Sequence, residues 1–512
     1  MASEHMHWSE WLAEKVITEK KEPYIISGGM TTSGPSHLGT LCEFFFPSVI
    51  QKAIEQRGKK CTYYFVADIA DAFDGVPLDM EKYTKELEPH FGKQLCDVPD
   101  PTGKSKSFGD HYLDEAKELM KKFDVDPILV RANEYYAQGK FDKYALLLLE
   151  HSDEARKIVE ETSGKEEKKG WSPIMPICQN CGKVATTRVI SHKGEEYEYV
   201  CDKDVKYTKG CGNSGKNRIS DHKYKLVWRL HWPAWKQIFG TRIEGAGIDH
   251  HTKGGSEDTC KAITLNLFKA DYHIPYRYGF ILFEGKKYSK SKGIGMGVSD
   301  MVKLLPVEII KYMLIRPDLE ENIDINPTSE NLLKTIEDFE SAGKINMTEN
   351  NEKSDLVRSD RKRAIAHKMS TPNGKAQWSA PFLDVLLYYQ LYHDWDAVGK
   401  KLGDPQGVAY LKPYVEEWIA RDFVPSDYNF KYQASATTAS GNAKAFVSSL
   451  TSGMDALQIH NAVFQFAKDH SIEPKVLFGE LYRAFLGKEK GPRMGKMIAA
   501  LGVEKVKKDI GI

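Results

Sequence analysis

At 512 residues the chain is too long for one ordinary domain, and two to four are expected. Hydrophobic residues at 41% and charged residues at 28% give a globular balance with ample core material, and no apolar run approaches the length of a membrane span. Lys+Arg and Asp+Glu stand at 72 each, so net charge neither supports nucleic-acid binding nor excludes it, since local patches matter more than the sum.

In chain order, Trp8, Trp11, Leu12, Val16 and Ile17 predict an amphipathic helix over 8–20. Tyr24-Ile25-Ile26 follows as a buried strand ending in Gly28-Gly29, then a turn, Thr31-Thr32-Ser33-Gly34-Pro35, then His37-Leu38-Gly39-Thr40 at the start of a helix. Helix continues over 41–57, and Cys61-Thr62-Tyr63-Tyr64-Phe65-Val66-Ala67 is the next strand. Strand, helix, strand is a βαβ unit, which implies a parallel sheet that binds ligands beyond the carboxyl ends of its strands. A rigid turn follows at Val98-Pro99-Asp100-Pro101-Thr102-Gly103, with helix 111–123, strand 127–131 and a helix near 141–161. The tract 164–170 is a charged linker, and 171–220, with its cysteines, glycines and lysines, is a small inserted module. Residues 224–230 read as a strand, Trp232-Pro233-Ala234-Trp235 as a turn into a helix, 278–283 as an apolar strand and 300–316 as a helix. From about 320 the pattern is helix after helix, with a polar loop over 344–358.

Two elements suit phosphate. The first is the turn leading into His37, where free backbone N–H groups and the positive end of a helix dipole face a ligand. The second is Lys286-Lys287-Tyr288-Ser289-Lys290-Ser291-Lys292-Gly293, set after a strand between flexible glycines. Its lysines supply point charge and its serines hydroxyl donors.

Cys178-x2-Cys181 with Cys201 and Cys211 has the composition of a tetrahedral zinc site, and His192 is a reserve ligand. The role expected is structural, because so small an insert cannot bury much core. The remaining cysteines, Cys42, Cys61, Cys96 and Cys260, read as small buried apolar residues. The absence of an apolar signal region near Glu4 and Glu10, together with the cysteine usage, points to a reducing, cytoplasmic setting.

His37-Leu38-Gly39-Thr40 and Lys287-Tyr288-Ser289-Lys290-Ser291 resemble the "HIGH" and "KMSKS" signatures of class I aminoacyl-tRNA synthetases. Within that class the chain resembles the class I lysyl-tRNA synthetases. The residues that carry this are 29–39, Asp68 and Asp71 ahead of Val76-Pro77, 98–103, Trp228-Arg229-Leu230-His231-Trp232-Pro233, Ala246-Gly247-Ile248-Asp249-His250 and Gly491-Pro492-Arg493-Met494-Gly495. Thr40 replaces the usual His or Asn, Thr32 a common proline, and Lys290 a frequent glycine; His231 stands where aspartate is common.

The resemblance implies an α/β architecture: a Rossmann-like parallel-sheet catalytic domain with a zinc-containing insertion, then an all-α C-terminal domain. The implied bounds are 1–97 and 224–320 for the catalytic halves, 98–223 for the acceptor-end insertion with its zinc module at 171–220, and 321–512 for the anticodon-binding domain. It implies activation of L-lysine with ATP and Mg2+ to lysyl-adenylate, then transfer to tRNA(Lys). His37, Lys287, Ser289, Lys290 and Ser291 are implied as catalytic, and Gly34, His37, Gly39, Thr40, Gly247, Asp249, Lys287 and Lys290 as the ATP site. Gly29, Thr31, Glu43, Trp232, His250 and Tyr278 are implied as the lysine pocket, with Glu43 the partner of the substrate ammonium. The alternatives are a class I enzyme for another amino acid such as glutamate, a zinc-containing RNA-binding protein without catalysis, and a nucleotidyltransferase with a small acceptor. A carboxylate at Glu43 opposes an acidic substrate, and the intact phosphate-handling residues oppose the non-catalytic reading.

Overall fold

The computed structural model describes residues 6–167, 170–283, 285–287, 297–325, 330–347, 355–426 and 428–512. It divides into two compact units. The first comprises Met1–Met301, Lys311–Ile325 and Thr348–Ala366; the second comprises Val302–Ile310, Asn326–Met347 and His367–Ile512.

The first unit opens with α1 (Trp8–Glu19), β1 (Tyr24–Met30), α2 (Leu38–Glu55) and β2 (Cys61–Ala67), the βαβ unit expected from the sequence. Then come α3 (Phe108–Lys122), β3 (Ile128–Arg131), α4 (Asp142–Glu150) and α5 (Ser152–Ser163). The single helix expected near 141–161 is therefore two, parted at His151. The insert carries β4 (Ile174–Pro176), β5 (Thr187–Lys193), β6 (Glu196–Cys201) and β7 (Ser214–Arg218). It returns through β8 (Tyr224–Leu226), antiparallel to β4. The remainder is α6 (Trp228–Phe239), β9 (Ile243–Gly247), α7 (Ser256–Ala262), β10 (Ile274–Tyr278), β11 (Ile281–Phe283), β12 (Lys286–Lys287) and β13 (Ile323–Ile325), with α8 (Val298–Leu304) and α9 (Val307–Ile315) divided between the two units.

The main sheet has the order β10-β9-β1-β2-β3, and every neighbouring pair is parallel. From β1 the chain moves to β2 on one side and later to β9 on the other. The carboxyl ends of β1 and β9 thus form the switch point where a doubly wound sheet opens a crevice. Register places Ile26 opposite Ile243 and Gly247 opposite Tyr278.

Three sequence expectations shift for physical reasons. β1 runs through Gly28-Gly29 to Met30 instead of ending there. A Cβ on Gly29 would lie 2.8 Å from the Val66 carbonyl and 3.1 Å from the Trp235 ring, so only glycine lets the sheet and α6 approach this closely. Trp232-Pro233 lies inside α6, not in a turn, because burial of Leu230, Ala234 and Trp235 outweighs the helix bond lost at Pro233. The strand expected over 278–283 is cut at Gly279, where a Cβ would clash with the Glu321 carbonyl. Beyond the cut, β11 joins a separate small sheet with β12 and β13.

The second unit is helical. Helices Phe382–Tyr392, Gly441–Ser449, Ala456–Asp469, Pro474–Leu486, Met494–Leu501 and Val503–Asp509 close over a core that includes Phe446, Val463, Leu481, Phe485, Met497 and Ile498. The helix expected over 300–316 is interrupted at Pro306, leaving α8 and α9.

Candidate active site

His37 is the N-cap of α2. Its Nδ1 accepts the Thr40 backbone N–H at 3.0 Å, and the Thr40 hydroxyl accepts the His37 backbone N–H at 3.5 Å. This is a capping box, so Thr40, a departure within the first signature, has a local structural use. With Nδ1 accepting, a neutral imidazole carries its proton on Nε2 and presents a donor there. Gly39 is required by the ring itself: a Cβ at that position would lie 2.9 Å from His37 Cε1 and Nδ1. Gly34 lies in the turn that leads into this helix.

The second phosphate-handling element begins in the β11–β12 hairpin, where Leu282 pairs with Lys287. Ser289, Lys290 and Ser291 lie outside the described residues, as does the Lys287 side chain. The chain is described again at Gly297, which pairs with His37 in an antiparallel bridge.

One turn further along α2, Glu43 sits deep in the protein yet retains accessible surface, as a group lining a recess does. Burial pushes its carboxyl up to about 8; the Tyr278 hydroxyl opposes this, and Glu244 and Asp249 add to it. The Tyr278 hydroxyl is buried without a regular hydrogen bond, and its ring stands edge-on to Phe46 at 5.2 Å. Pro47 removes the N–H that would hold the Glu43 carbonyl within the helix, and that carbonyl lies against Gly28.

Trp232, buried, is held from several sides. Its indole N–H donates to Glu244 at 2.6 Å, its ring stacks on Trp228 at 5.6 Å, and the Lys236 ammonium sits 3.8 Å over it. His250 lies 5.7 Å from Trp232 and 3.4 Å from the Ser256 hydroxyl. Asp249 falls in a short 3-10 turn, Ile248–His251, with its carboxylate folded against Gly247. The cap of α7 is Gly255, so Asp249 is not the helix cap.

Glu43, Tyr278, Asp249, Trp232 and His250 therefore converge at the carboxyl ends of β9 and β10 and the start of α2. Sequence reasoning missed the supports: Glu244 and Lys236, each 2% exposed, with Glu257 and His273 behind them. The available signal was a charged residue inside an apolar strand, as at Glu244 in Ile-Glu-Gly-Ala-Gly.

A second buried charge cluster lies at the end of β2. Lys225, fully buried on β8, reaches Asp68 at 3.0 Å and Asp71 at 3.3 Å. Asp71 also accepts from the Thr31 hydroxyl at 3.4 Å, which links the cluster to the turn after β1. Burial alone would lower the Lys225 pKa, but Asp68 and Asp71 hold it above the ordinary value. His231 is fully buried, with Nδ1 2.7 Å from the Tyr136 hydroxyl and Nε2 3.7 Å from Asp68. Burial and Lys225 drive its pKa well below the ordinary range, so it is a neutral, aromatic-packed group.

The four insert cysteines form one cluster, with all Sγ atoms within 4.8 Å of one another. Sγ–Sγ distances of 3.7 Å (Cys178–Cys211) and 3.8 Å (Cys181–Cys201) are too long for disulfides. They match the edge of a tetrahedron of thiolates about 2.3 Å from a metal. Donors surround the sulfurs: the Thr186 hydroxyl lies 3.2 Å from Cys201, and the Cys211 N–H and the Asn180 amide each lie 3.5 Å from a sulfur. The set fits a closed structural metal site. His192, on β5, is not part of it.

A doubly wound parallel sheet with a capped helix N-terminus at its switch point, and a half-buried carboxylate beside it, is the arrangement of an α/β fold of the nucleotide-binding type. The chain belongs to the tRNA synthetases class I (K), whose family model matches residues 6–368. A protein of Archaeoglobus fulgidus named Lysine--tRNA ligase is 29% identical over 522 residues, covering 99% of each chain. One of Methanosarcina barkeri (strain Fusaro) with the same name is 28% identical, covering 98% of this chain and 96% of the relative. A solved glutamate tRNA ligase from Elizabethkingia meningosepticum, in complex with its amino acid, aligns over 96% of this chain and 98% of its own at 12% identity and a TM-score of 0.38.

Proposed function

We propose that the protein is a lysine--tRNA ligase: it activates L-lysine with ATP and Mg2+, then transfers the lysyl group to the terminal adenosine of tRNA(Lys). The observation that carries this reading is Glu43, a half-buried carboxylate beside the Tyr278 hydroxyl and near Glu244, which anchors the Trp232 indole. A lysine side chain needs an anion for its ammonium and flat apolar surface for its stem. The same recess, with Glu244 and Asp249 nearby, opposes a glutamate side chain.

In this reading the lysine ammonium meets Glu43, while Gly29, Thr31 and His250 border the rest of the amino acid. ATP phosphates lie over the N-terminus of α2, where the His37 Nε2–H donates to a phosphate oxygen beside Gly34, Gly39 and Thr40. The ribose lies at Gly247 and Asp249, whose carboxylate accepts from sugar hydroxyls. Lysine carboxylate attacks the α-phosphate, the bond to pyrophosphate breaks, and Lys287 and Lys290, with Ser289 and Ser291, take up the charge that leaves. Positioning and charge stabilisation supply the catalysis, with no covalent enzyme intermediate. Zn2+ fits the structural role at Cys178, Cys181, Cys201 and Cys211. The region 98–223 is proposed to meet the tRNA acceptor end, 321–512 the anticodon, and the setting is cytoplasmic.

The test is ATP–pyrophosphate exchange with each amino acid in turn, with and without tRNA. Lysine-dependent exchange is expected. Its absence under both conditions sinks the enzyme reading, and exchange with glutamate alone sinks the specificity. Gly39→Ala should lower exchange kcat/KM by about 100-fold, the scale for a displaced catalytic group. Its melting temperature should not fall, since alanine favours a helix over glycine by about 1 kcal/mol. Stripping the metal with a strong chelator should speed amide exchange across 171–220 and release about one equivalent of zinc, because binding such an ion is part of folding so small an insert.

A further inference from the structure

Glu115, on α3, has one carboxylate oxygen that joins two distant segments. Oε1 accepts the Ser36 backbone N–H at 3.2 Å and the Ser299 hydroxyl at 3.3 Å. Ser36 immediately precedes His37, and Ser299 lies in the first turn of α8, two residues after Gly297. The same two segments are tied directly, by the Val298 N–H to the Ser36 carbonyl at 3.3 Å and by the His37–Gly297 bridge. Ser36 is 2% exposed, so its N–H has no water to turn to if the carboxylate is removed. Its placement fixes the extended backbone of His37 (φ −113°, ψ 172°), from which the imidazole swings back over Gly39 to cap α2.

We propose that Glu115 is a positioning residue for His37: one oxygen sets the approach to the α2 N-terminus and locks it to the start of α8. A carboxylate here does not favour nearby phosphate, and what its Oε1 gives the Ser36 N–H and the Ser299 hydroxyl is a positioned acceptor. The neutral amide of glutamine keeps an acceptor at the same atom and should serve nearly as well; alanine should not. The inference rests on the reading of His37 as the group that faces ATP.

Glu115→Ala and Glu115→Gln test it by two measurements on the full chain. In lysine-dependent ATP–pyrophosphate exchange, Glu115→Ala should lower kcat at least about tenfold and raise the ATP KM, with the lysine KM within about twofold. Glu115→Gln should keep at least about a third of the wild-type rate. In amide hydrogen exchange read by mass spectrometry, peptides covering 33–41 and 297–304 should accelerate together in Glu115→Ala and not in Glu115→Gln. Unchanged turnover in Glu115→Ala overturns the proposal, as does equal damage by both substitutions or a parallel rise in lysine KM. If the wild-type protein shows no amino-acid-dependent exchange, the ligase reading falls. The amide measurement then decides Glu115 alone: joint acceleration upholds the tie, and no acceleration overturns it.

Discussion

Glu43→Gln should raise the lysine KM by about 10- to 100-fold while leaving the ATP KM unchanged. A hydrogen bond to a charged group contributes about 1.5–3 kcal/mol, which is a factor of that size in affinity. The neutral amide keeps the shape of the recess and removes its charge, so the loss should fall on lysine alone. The pH dependence follows from the same carboxyl. In the unliganded protein its pKa stands at about 8, raised first by burial and then by Glu244 and Asp249. The form that pairs with an ammonium is the deprotonated one. Below pH 8 lysine must expel a proton as it binds, and its KM should rise about tenfold per pH unit. Above 8 the dependence on this group should flatten. Folding runs the other way: a carboxyl with a raised native pKa adds stability at low pH that is lost as pH rises through about 8. The unliganded protein should therefore weaken toward pH 8, and saturating lysine should reverse this. Lysine KM measured from pH 6 to 9 in wild type and Glu43→Gln checks both points. A slope that persists in the variant would place the titrating group elsewhere.

Lys225→Met should cost about 3–5 kcal/mol of stability, read from the midpoint of denaturant unfolding. The substitution leaves Asp68 buried, at 1% exposure, without the ammonium that pairs with it at 3.0 Å. His231 does not readily replace that charge, because burial, the larger cause of its low pKa, persists in the variant, and its Nδ1 already contacts the Tyr136 hydroxyl. Adding Asp68→Asn to Lys225→Met should recover much of the loss, since two neutral groups no longer leave a buried charge unpaired. The effect should hold across neutral pH. A lysine whose native pKa is raised contributes stability that is fully present below its ordinary value and lost only above it. A loss below about 1 kcal/mol, or no recovery in the double variant, would mean that Asp68 is not held as a paired anion.

How much was legible varies by residue. His37-Leu38-Gly39-Thr40 could be read as a helix start because a capping residue, a tight turn and the following apolar spacing are local signals. The reason Gly39 is glycine was not legible, since it depends on where the His37 ring comes to rest. Trp232-Pro233 was misread because proline is a strong local signal against helix, and burial of the neighbouring side chains overrode it. The apolar run 278–283 carried no mark of the break at Gly279, which exists because another part of the chain crosses there. Glu43 stood out only through the family resemblance; by composition it is one glutamate among many.

The sequence by itself determined the βαβ opening, the glycine-rich turn into α2, the four-cysteine set and the family, because each rests on neighbours in the chain or on spacing. Tertiary structure alone decided the order of the sheet, and with it the switch point that brings the start of α2 beside Asp249, Tyr278 and Trp232. It also decided the supports that no local pattern announces: Glu244 on the Trp232 indole, Lys225 between two aspartates, and Glu115 across Ser36 and Ser299. Those contacts join residues 12 to 184 positions apart. Their energy comes from burying paired charge and polar groups, and a side chain's burial is a property of the whole fold.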